Sequence, residues 1–421
     1  MDDNVIQSLA RKYQTPIYIF DGDDIENRYH YMKNLLPKQF DIFYSIKANP
    51  SLAICQVLQN NGSGIEVASE GELHLALKAG FNSSDILFSG PGKTYRELEY
   101  AIDKNIAAIN VESFTELNVI HEIAKLKGKK VNVGIRINPN YESVKRNPVI
   151  SMMGSGTQFG VDKNQLPSLF SYIKESDYLN LTCFHIYAGS QIFDYKVATA
   201  YFQEAIDLLS QIIEEHNLDI KILDFGGGFG ISYDGRRQHF DFKSFGDEVK
   251  KLYDHHLNLF NGKRLIFESG RFLTARSGYF LTEIQYRKQI NGNTFLITDG
   301  GMNQNAMATF REKRIRSNFN MHILNNNNAE EVVSVAGPLC TPDDVLGRNI
   351  TLNKADRGDI LCIFNSGAYG SSFSPLEFLG HPRPCEVLVY KGIDYVIRKH
   401  GNFEDIIKGQ IDLYESKYNM S

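Results

Sequence analysis

The feature that most limits what this chain can fold into is an alternation. Between residues 40 and 270, eight apolar strand-like runs are separated by amphipathic helical ones. The strand-like runs are 42–48, 65–68, 86–89, 108–112, 133–138, 181–186, 222–226 and 265–269. Helical patterns lie between most of them, for example at 52–60, 71–79, 95–103, 116–127 and 198–216. Eight such repeats predict a (β/α)8 barrel of the TIM type, and the segment matches that fold's usual size of about 250 residues. An open doubly wound sheet is the competing arrangement.

A chain of 421 residues is too long for one ordinary core. Beyond residue 270 the pattern changes to strand-like pieces joined by turns, at 279–286, 294–298, 331–336, 359–364, 385–390 and 393–397. That predicts an all-β second domain, a β-barrel or β-sandwich. The early strand Thr15-Pro16-Ile17-Tyr18-Ile19-Phe20, stopped by Asp21-Gly22-Asp23, could pair with it. The expected division is therefore 22–270 for the barrel, with 1–21 and 271–421 forming the β domain. Asn325-Asn326-Asn327-Asn328 reads as an exposed loop.

Composition removes several classes of function. A net charge of -5 supplies no basic field for nucleic acid or an anionic membrane. No apolar run reaches the ~18 residues of a membrane span, and Met1-Asp2-Asp3-Asn4 does not open a signal peptide. The five cysteines are scattered, odd in number and form no metal-type pair, which fits a cytoplasmic protein.

The barrel reading assigns positions to chemistry, because catalytic groups sit at the C-terminal ends of strands and phosphate binds after strands seven and eight. Strand one ends in Phe43-Tyr44-Ser45-Ile46-Lys47-Ala48-Asn49-Pro50. A desolvated lysine becomes an amine nucleophile; the alternative is a lysine snorkelling to water. Strand seven ends in Asp224-Phe225-Gly226-Gly227-Gly228-Phe229-Gly230, where consecutive glycines and a following helix N-terminus suit an anion. The alternative is a turn with a crowded helix approach. Strand eight ends in Phe267-Glu268-Ser269-Gly270-Arg271, where Glu268 pairs either with a cofactor nitrogen or with Arg271. One amine, one phosphate cradle and one carboxylate at one barrel mouth are what pyridoxal 5'-phosphate needs. His185, at the end of strand six, either stacks on the cofactor or is a satisfied core histidine. Cys340, within Gly337-Pro338-Leu339-Cys340-Thr341-Pro342-Asp343-Asp344, reads alone as a structural cysteine. Gly90-Pro91-Gly92-Lys93-Thr94 lacks the leading glycine of a nucleotide loop, since Leu87 stands there.

Taken together, these motifs resemble the fold-type III pyridoxal-phosphate decarboxylases, the family of diaminopimelate decarboxylase and eukaryotic-type ornithine decarboxylase. The markers are Tyr44-Ser45-Ile46-Lys47-Ala48-Asn49, Glu66-Val67-Ala68-Ser69, Phe184-His185 with Gly189-Ser190-Gln191, the glycine run, Glu268-Ser269-Gly270-Arg271, Cys340 with Asp344, and Gly367-Ala368-Tyr369-Gly370. The resemblance implies that Lys47 forms the Schiff base, His185 stacks on the ring and Glu268 pairs with its nitrogen. It implies Ser190, Gly227, Gly228, Ser269, Gly270, Arg271 and Tyr369 around the phosphate, and Cys340 as the acid that reprotonates Cα. It further implies a head-to-tail homodimer in which Cys340, Asp344 and Tyr369 reach the site from the partner subunit. Arg271, Thr341, Asp344 and Tyr369 are the implied substrate contacts, and no metal is implied.

The departures concern the substrate's far end. Relatives that make diamines carry Glu or Asp after the site cysteine, where this chain has Thr341. Diaminopimelate decarboxylases carry an Arg after Asp-Gly-Gly-Met, where ungapped register places Met307. His185-Ile186-Tyr187-Ala188-Gly189-Ser190 has two extra residues, and Gln158 in Thr157-Gln158-Phe159-Gly160 stands where lysine is common. A pocket built to grip a distal charge loses discrimination without its partner. The expected substrate is therefore a modified, conjugated or carrier-protein-bound amino acid of siderophore- or antibiotic-type biosynthesis. The alternatives are meso-diaminopimelate decarboxylation for lysine synthesis, an alanine-racemase-like activity and a catalytically dead regulator. In every catalytic case, replacing Lys47 by alanine is expected to abolish turnover and remove the cofactor's Schiff-base absorbance; retained activity would overturn the assignment.

Overall fold

The eight apolar runs of the first segment close on themselves. In the computed structural model, which describes residues 1–138, 158–309 and 317–413, the chain divides into two units, Gly22–Ser277, and Met1–Asp21 with Gly278–Ser421. Strand β1 (Ile17–Asp21) lies in the second of these. The first contains β2 (Phe40–Ser45), β3 (Gly64–Val67), β4 (Ile86–Phe88), β5 (Ala108–Val111), β6 (Val131–Asn138), β7 (Val161–Asp162), β8 (Leu179–His185), β9 (Ile222–Asp224) and β10 (Arg264–Ser269). The parallel order β5-β4-β3-β2-β10-β9-β8-β6 is closed by pairing of β5 with β6, while the two-residue β7 adds to β6. Closure excludes the open doubly wound sheet.

Short polar caps set the alternation. Ser69, Thr94 and Ser113 each cap the helix that follows a barrel strand by accepting the N–H of the residue three along. Gly80 and Gly128 end two of these helices in the left-handed conformation. Inside the barrel, Phe43, Leu87, Ala108, Cys183, Ile222 and Ile266 from six strands form one apolar layer. Beside Phe43 in register is Gly64, whose missing Cβ leaves room for the ring: a Cβ there would lie 2.2 Å from Phe43 Cε1. The unit runs past residue 270 because helix Arg271–Thr274 and the turn Ala275–Ser277 follow β10 without a break. Ser277 Oγ then donates to Asp24 at 2.7 Å, tying the end of the unit to its beginning.

The other unit is one mixed nine-stranded sheet of β1 with β11 (Gly278–Ile290), β12 (Asn293–Thr298), β13 (Met321–Ile323), β14 (Glu330–Ala336), β15 (Val345–Asn353), β16 (Ile360–Ile363), β17 (Cys385–Tyr390) and β18 (Ile393–Arg398). β1 does pair here, antiparallel to β11 and parallel to β17. Helix Asp3–Tyr13 packs Ile6, Leu9 and Ala10 into the core formed by Ile17, Ile19, Leu281, Cys362 and Val387. The sequence pattern did not predict β13 and β15: β13 has three residues, and β15 alternates apolar with exposed polar ones. The asparagine run forms the turn between β13 and β14, with Asn326 and Asn328 donating to the Lys354 carbonyl. No helix among the described residues is long and apolar enough to cross a membrane.

Gly64→Ala forces Phe43 out of a close-packed layer, so unfolding in urea is expected to show a loss of about 1–3 kcal/mol. A variant as stable as the parent would show that this layer yields without cost.

Candidate active site

β2 stops at Ser45 rather than continuing to Ala48. Ile46–Ala48 forms one tight turn, closed by the Asn49 N–H donating to Ile46 O at 3.0 Å, and Pro50 has no N–H with which to resume a ladder. Lys47 therefore lies just beyond the strand, not within it, and 45 % of its side chain is exposed. The expectation of a desolvated amine is corrected accordingly: the lysine stands at the open mouth. Its Nζ lies 3.3 Å from Oε2 of buried Glu66 on β3, and 6.0 Å from the centre of the Tyr187 ring.

The neighbouring ends of β8, β9 and β10 bring His185, Asp224 and Glu268 together, all buried. One polar atom from each lies within 4.8 Å of the others, with His185 Nε2 3.5 Å from Glu268 Oε1. Neither ring nitrogen of His185 has a hydrogen-bond partner among the described residues. Burial first, then the cations Arg136, Lys47 and Lys93, hold His185 well below its ordinary pKa, so the ring is neutral. Burial, followed by repulsion from Asp224 and Glu66, pushes Glu268 well above the carboxylate range. Asp224 is pushed up to about 7, chiefly by burial.

The glycine run serves close backbone contact. A Cβ on Gly227 would lie 1.9 Å from the Glu268 carbonyl oxygen, and one on Gly228 1.9 Å from that of Gly189. Gly228 also has a φ of +98°. The loop after β9 is tied to the loop after β8, which carries the half-buried Ser190. Ile192 and Phe229 form a parallel bridge, and the Gln191 side chain bonds both the N–H and the carbonyl of Ile231. The expected helix N-terminus behind the glycines is not there, because the next helix, Phe242–His255, starts only after a loop and is capped by Asp241. Gly270 packs against Ser45 and Ala48, so a Cβ would come within 2.9 Å of the Ser45 carbonyl oxygen. Ser269 beside it is buried, and its Oγ has no hydrogen-bond partner among the described residues. Arg271 directs Nη1 to the Tyr233 hydroxyl, while Glu268 faces His185 and Asp224.

Glu66, Asp224 and Tyr187 stood in sequence motifs without a role of their own, and the pair Arg136–Glu112 was not singled out, yet all lie at this mouth. Arg136 Nη1 reaches Glu112 Oε1 at 3.2 Å, and its guanidinium lies 5.8 Å from the Tyr187 ring centre. Glu112 also accepts the N–H groups of Gly90 and Gly160. The signal that found Lys47, a charged residue closing an apolar run, is present at Glu66, Glu112, Arg136 and Asp224 too. Lys93 is a buried structural group, bonded to the Gly90 and Asn110 carbonyls and paired with Glu116 at 2.6 Å.

Cys340, Thr341, Asp344 and Tyr369 belong to the β unit. Cys340 is exposed and Thr341 half-buried, in the connection between β14 and β15. Asp344 is buried, and its Oδ1 and Oδ2 accept the backbone N–H groups of Met302 and Leu339 at 2.6 and 2.7 Å. These two bonds hold its own loop and leave a second lone pair on each oxygen. Tyr369 has a φ of +56° and precedes Gly370, which packs on Tyr18. Met307 is buried in the turn Ala306–Ala308, next to an apolar cluster of Met302, Ala306 and Leu339. Gln158 is exposed, while Thr157 lies outside the described residues.

A family model described as "pyridoxal-dependent decarboxylase, pyridoxal binding domain" matches residues 22–275. The chain is 36% identical to L-glutamyl-[BtrI acyl-carrier protein] decarboxylase of Niallia circulans, covering 98% of this chain and 97% of that one. It is 32% identical to diaminopimelate decarboxylase of Helicobacter pylori, over 96% and 98% of the two chains. The crystal structure of diaminopimelate decarboxylase from Methanocaldococcus jannaschii matches with a TM-score of 0.89 at 32% identity, over 96% of this chain and 94% of that one.

Because folding keeps His185 neutral while the unfolded chain protonates it, the cofactor-free protein loses stability as pH falls below about 6.5. His185→Gln is expected to flatten that part of the profile in urea unfolding at a series of pH values. An unchanged slope would show that the imidazole does not contribute to it.

Proposed function

The chain belongs to the fold-type III pyridoxal-dependent decarboxylases, and on that premise we propose that it decarboxylates an α-amino acid whose far end is bound to a carrier protein. It is a carboxy-lyase whose cofactor is pyridoxal 5'-phosphate. The residues of the mouth fit that group. A half-exposed amine, unpartnered nitrogens on a buried histidine, a buried acid, and glycines at closely packed loop ends offer a complementary partner to each part of it.

In this reading Lys47 supplies the amine that holds the cofactor's aldehyde carbon, and Glu66 keeps that amine directed into the mouth. Neutral His185 covers one face of the ring, and Glu268 holds a proton at its nitrogen. Ser190, Gly227, Gly228, Ser269, Gly270 and Arg271 surround the phosphate. When bound, the cofactor supplies an electron sink for the pair left at Cα as CO₂ departs. The enzyme works as a homodimer, in which Cys340 of the partner subunit returns a proton to Cα, and Thr341 and Tyr369 of the partner subunit border the substrate. Its five free thiols support a reducing, cytoplasmic setting.

The observation that carries the substrate class is the Cys340 loop. Thr341 has no charge, each oxygen of Asp344 already accepts a backbone N–H group, and Met307, which is buried, has no charge either. A free distal carboxylate finds no cation in such a set, and a free ammonium only an acid shared with two backbone N–H groups, whereas a thioester or amide needs neither. The carrier-linked substrate named in the Niallia circulans relative is of that kind.

The test is CO₂ release from L-glutamyl carrier protein, free L-glutamate, meso-diaminopimelate and L-ornithine. The carrier-bound substrate is expected to lead the free amino acids by about 100-fold or more in kcat/KM. Ordinary turnover of meso-diaminopimelate to lysine would overturn the proposal in favour of lysine biosynthesis.

A further inference from the structure

Asp224 takes no part in the steps above, yet it is fully buried at the end of β9, between the ends of β8 and β10. Its Oδ1 accepts the Gly226 N–H at 2.9 Å. Its carboxyl also hydrogen-bonds that of Glu268, a contact that needs a proton on one of the two. The two carboxyl groups share the pocket with His185, within 4.8 Å. Two carboxylates so placed and shielded from water do not both ionise, because each raises the other's proton affinity. The groups that face them are Cys183 and the neutral His185 from β8, Glu66 from β3, Lys47 from the turn after β2, and Arg136 from β6. Asp224, with the N–H of Gly226 on one oxygen, is the better placed of the two to carry charge, which leaves the proton on Glu268.

We propose that Asp224 is a positioning residue that keeps Glu268 protonated in the cofactor-free enzyme, so that the pair stores the proton the cofactor's ring nitrogen takes up on binding. The O–H bond at Glu268 breaks as the N–H bond at the ring nitrogen forms. Glu268 is left as the carboxylate that faces the positive nitrogen, and no proton is drawn from solvent. This inference rests on the pyridoxal reading above.

Asp224→Asn keeps an oxygen for Gly226 and removes the charge beside Glu268. The dissociation constant for pyridoxal 5'-phosphate, measured on wild type and variant between about pH 6.5 and about pH 9, separates the possibilities. Without that charge Glu268 holds its proton less tightly and the variant draws more of it from solvent, so its loss of affinity relative to wild type is expected to grow with pH, by up to about tenfold per pH unit. A loss that stays constant with pH would mean that Asp224 only pins the glycine loop, and would overturn the proposal. Infrared difference spectra of the wild type provide a measurement that needs no variant: adding the cofactor is expected to erase a protonated-carboxyl band. A band that persists, or that is never present, also overturns it. Failure of the wild type to bind the cofactor at all would instead count against the pyridoxal reading.

Discussion

The hydrogen bonds that join β5 to β6 are the constraint on which the candidate site depends. Pairing Ile109 with Val133 and Val111 with Ile135 turns a row of eight strands into a ring. The pairing of β2 with β10 sets Lys47 and Glu268, separated by more than 200 positions, at the ends of adjacent strands, and the ring turns all eight ends toward one mouth. Each charged side chain at the mouth is held by a strand whose other residues are locked in the apolar interior, so its position is set by packing rather than by its own flexible length. The tight layer of Phe43, Leu87 and Ile266 below is thus part of the chemistry above it.

The same closure explains the electrostatics. Three acids, two cations and a histidine from six strand ends share a space with little water, and their protonation is collective. Burial first, and then the surrounding cations, keep His185 neutral, while burial first, and then the neighbouring acids, raise the proton affinity of Glu268 and Asp224. A flat, neutral imidazole is suited to lie on an aromatic ring, and a carboxyl that readily exchanges a proton is suited to a pyridine nitrogen. Neither property belongs to the residue type alone.

The fold was largely legible in the sequence because its signals are local. Apolar runs, polar caps and terminal glycines each act within a few residues, so eight barrel strands could be placed to within two or three positions. Short β13 and polar β15 lack such signals, and their pairing is decided by neighbours distant in the chain. At the site, Lys47, His185, Glu268 and the glycine run were legible by position and motif. Roles for Glu66, Asp224 and the Arg136–Glu112 pair were not, since a lone charge in an apolar run gains meaning only from what the next strand brings beside it. Asp344 shows the opposite case. Its place in a motif pointed to a substrate contact, and the structure adds a second task, since two backbone N–H groups bond to it.

That clasp has a consequence for how such enzymes diversify. By gripping Met302 and Leu339 at once, Asp344 fixes both ends of the support beneath residues 340–343 and leaves those residues as a short overhang. Pro342 and Asp343 at its tip are exposed, so their side chains contribute nothing to the core. The overhang is in effect an exchangeable cartridge. Under the proposed reading, its side chains after Cys340 can be rewritten for a charged, an uncharged or a tethered substrate while the sheet beneath and the barrel that holds the cofactor keep their sequences. Selection for a new amino acid can therefore act on three positions without reopening the problem of folding.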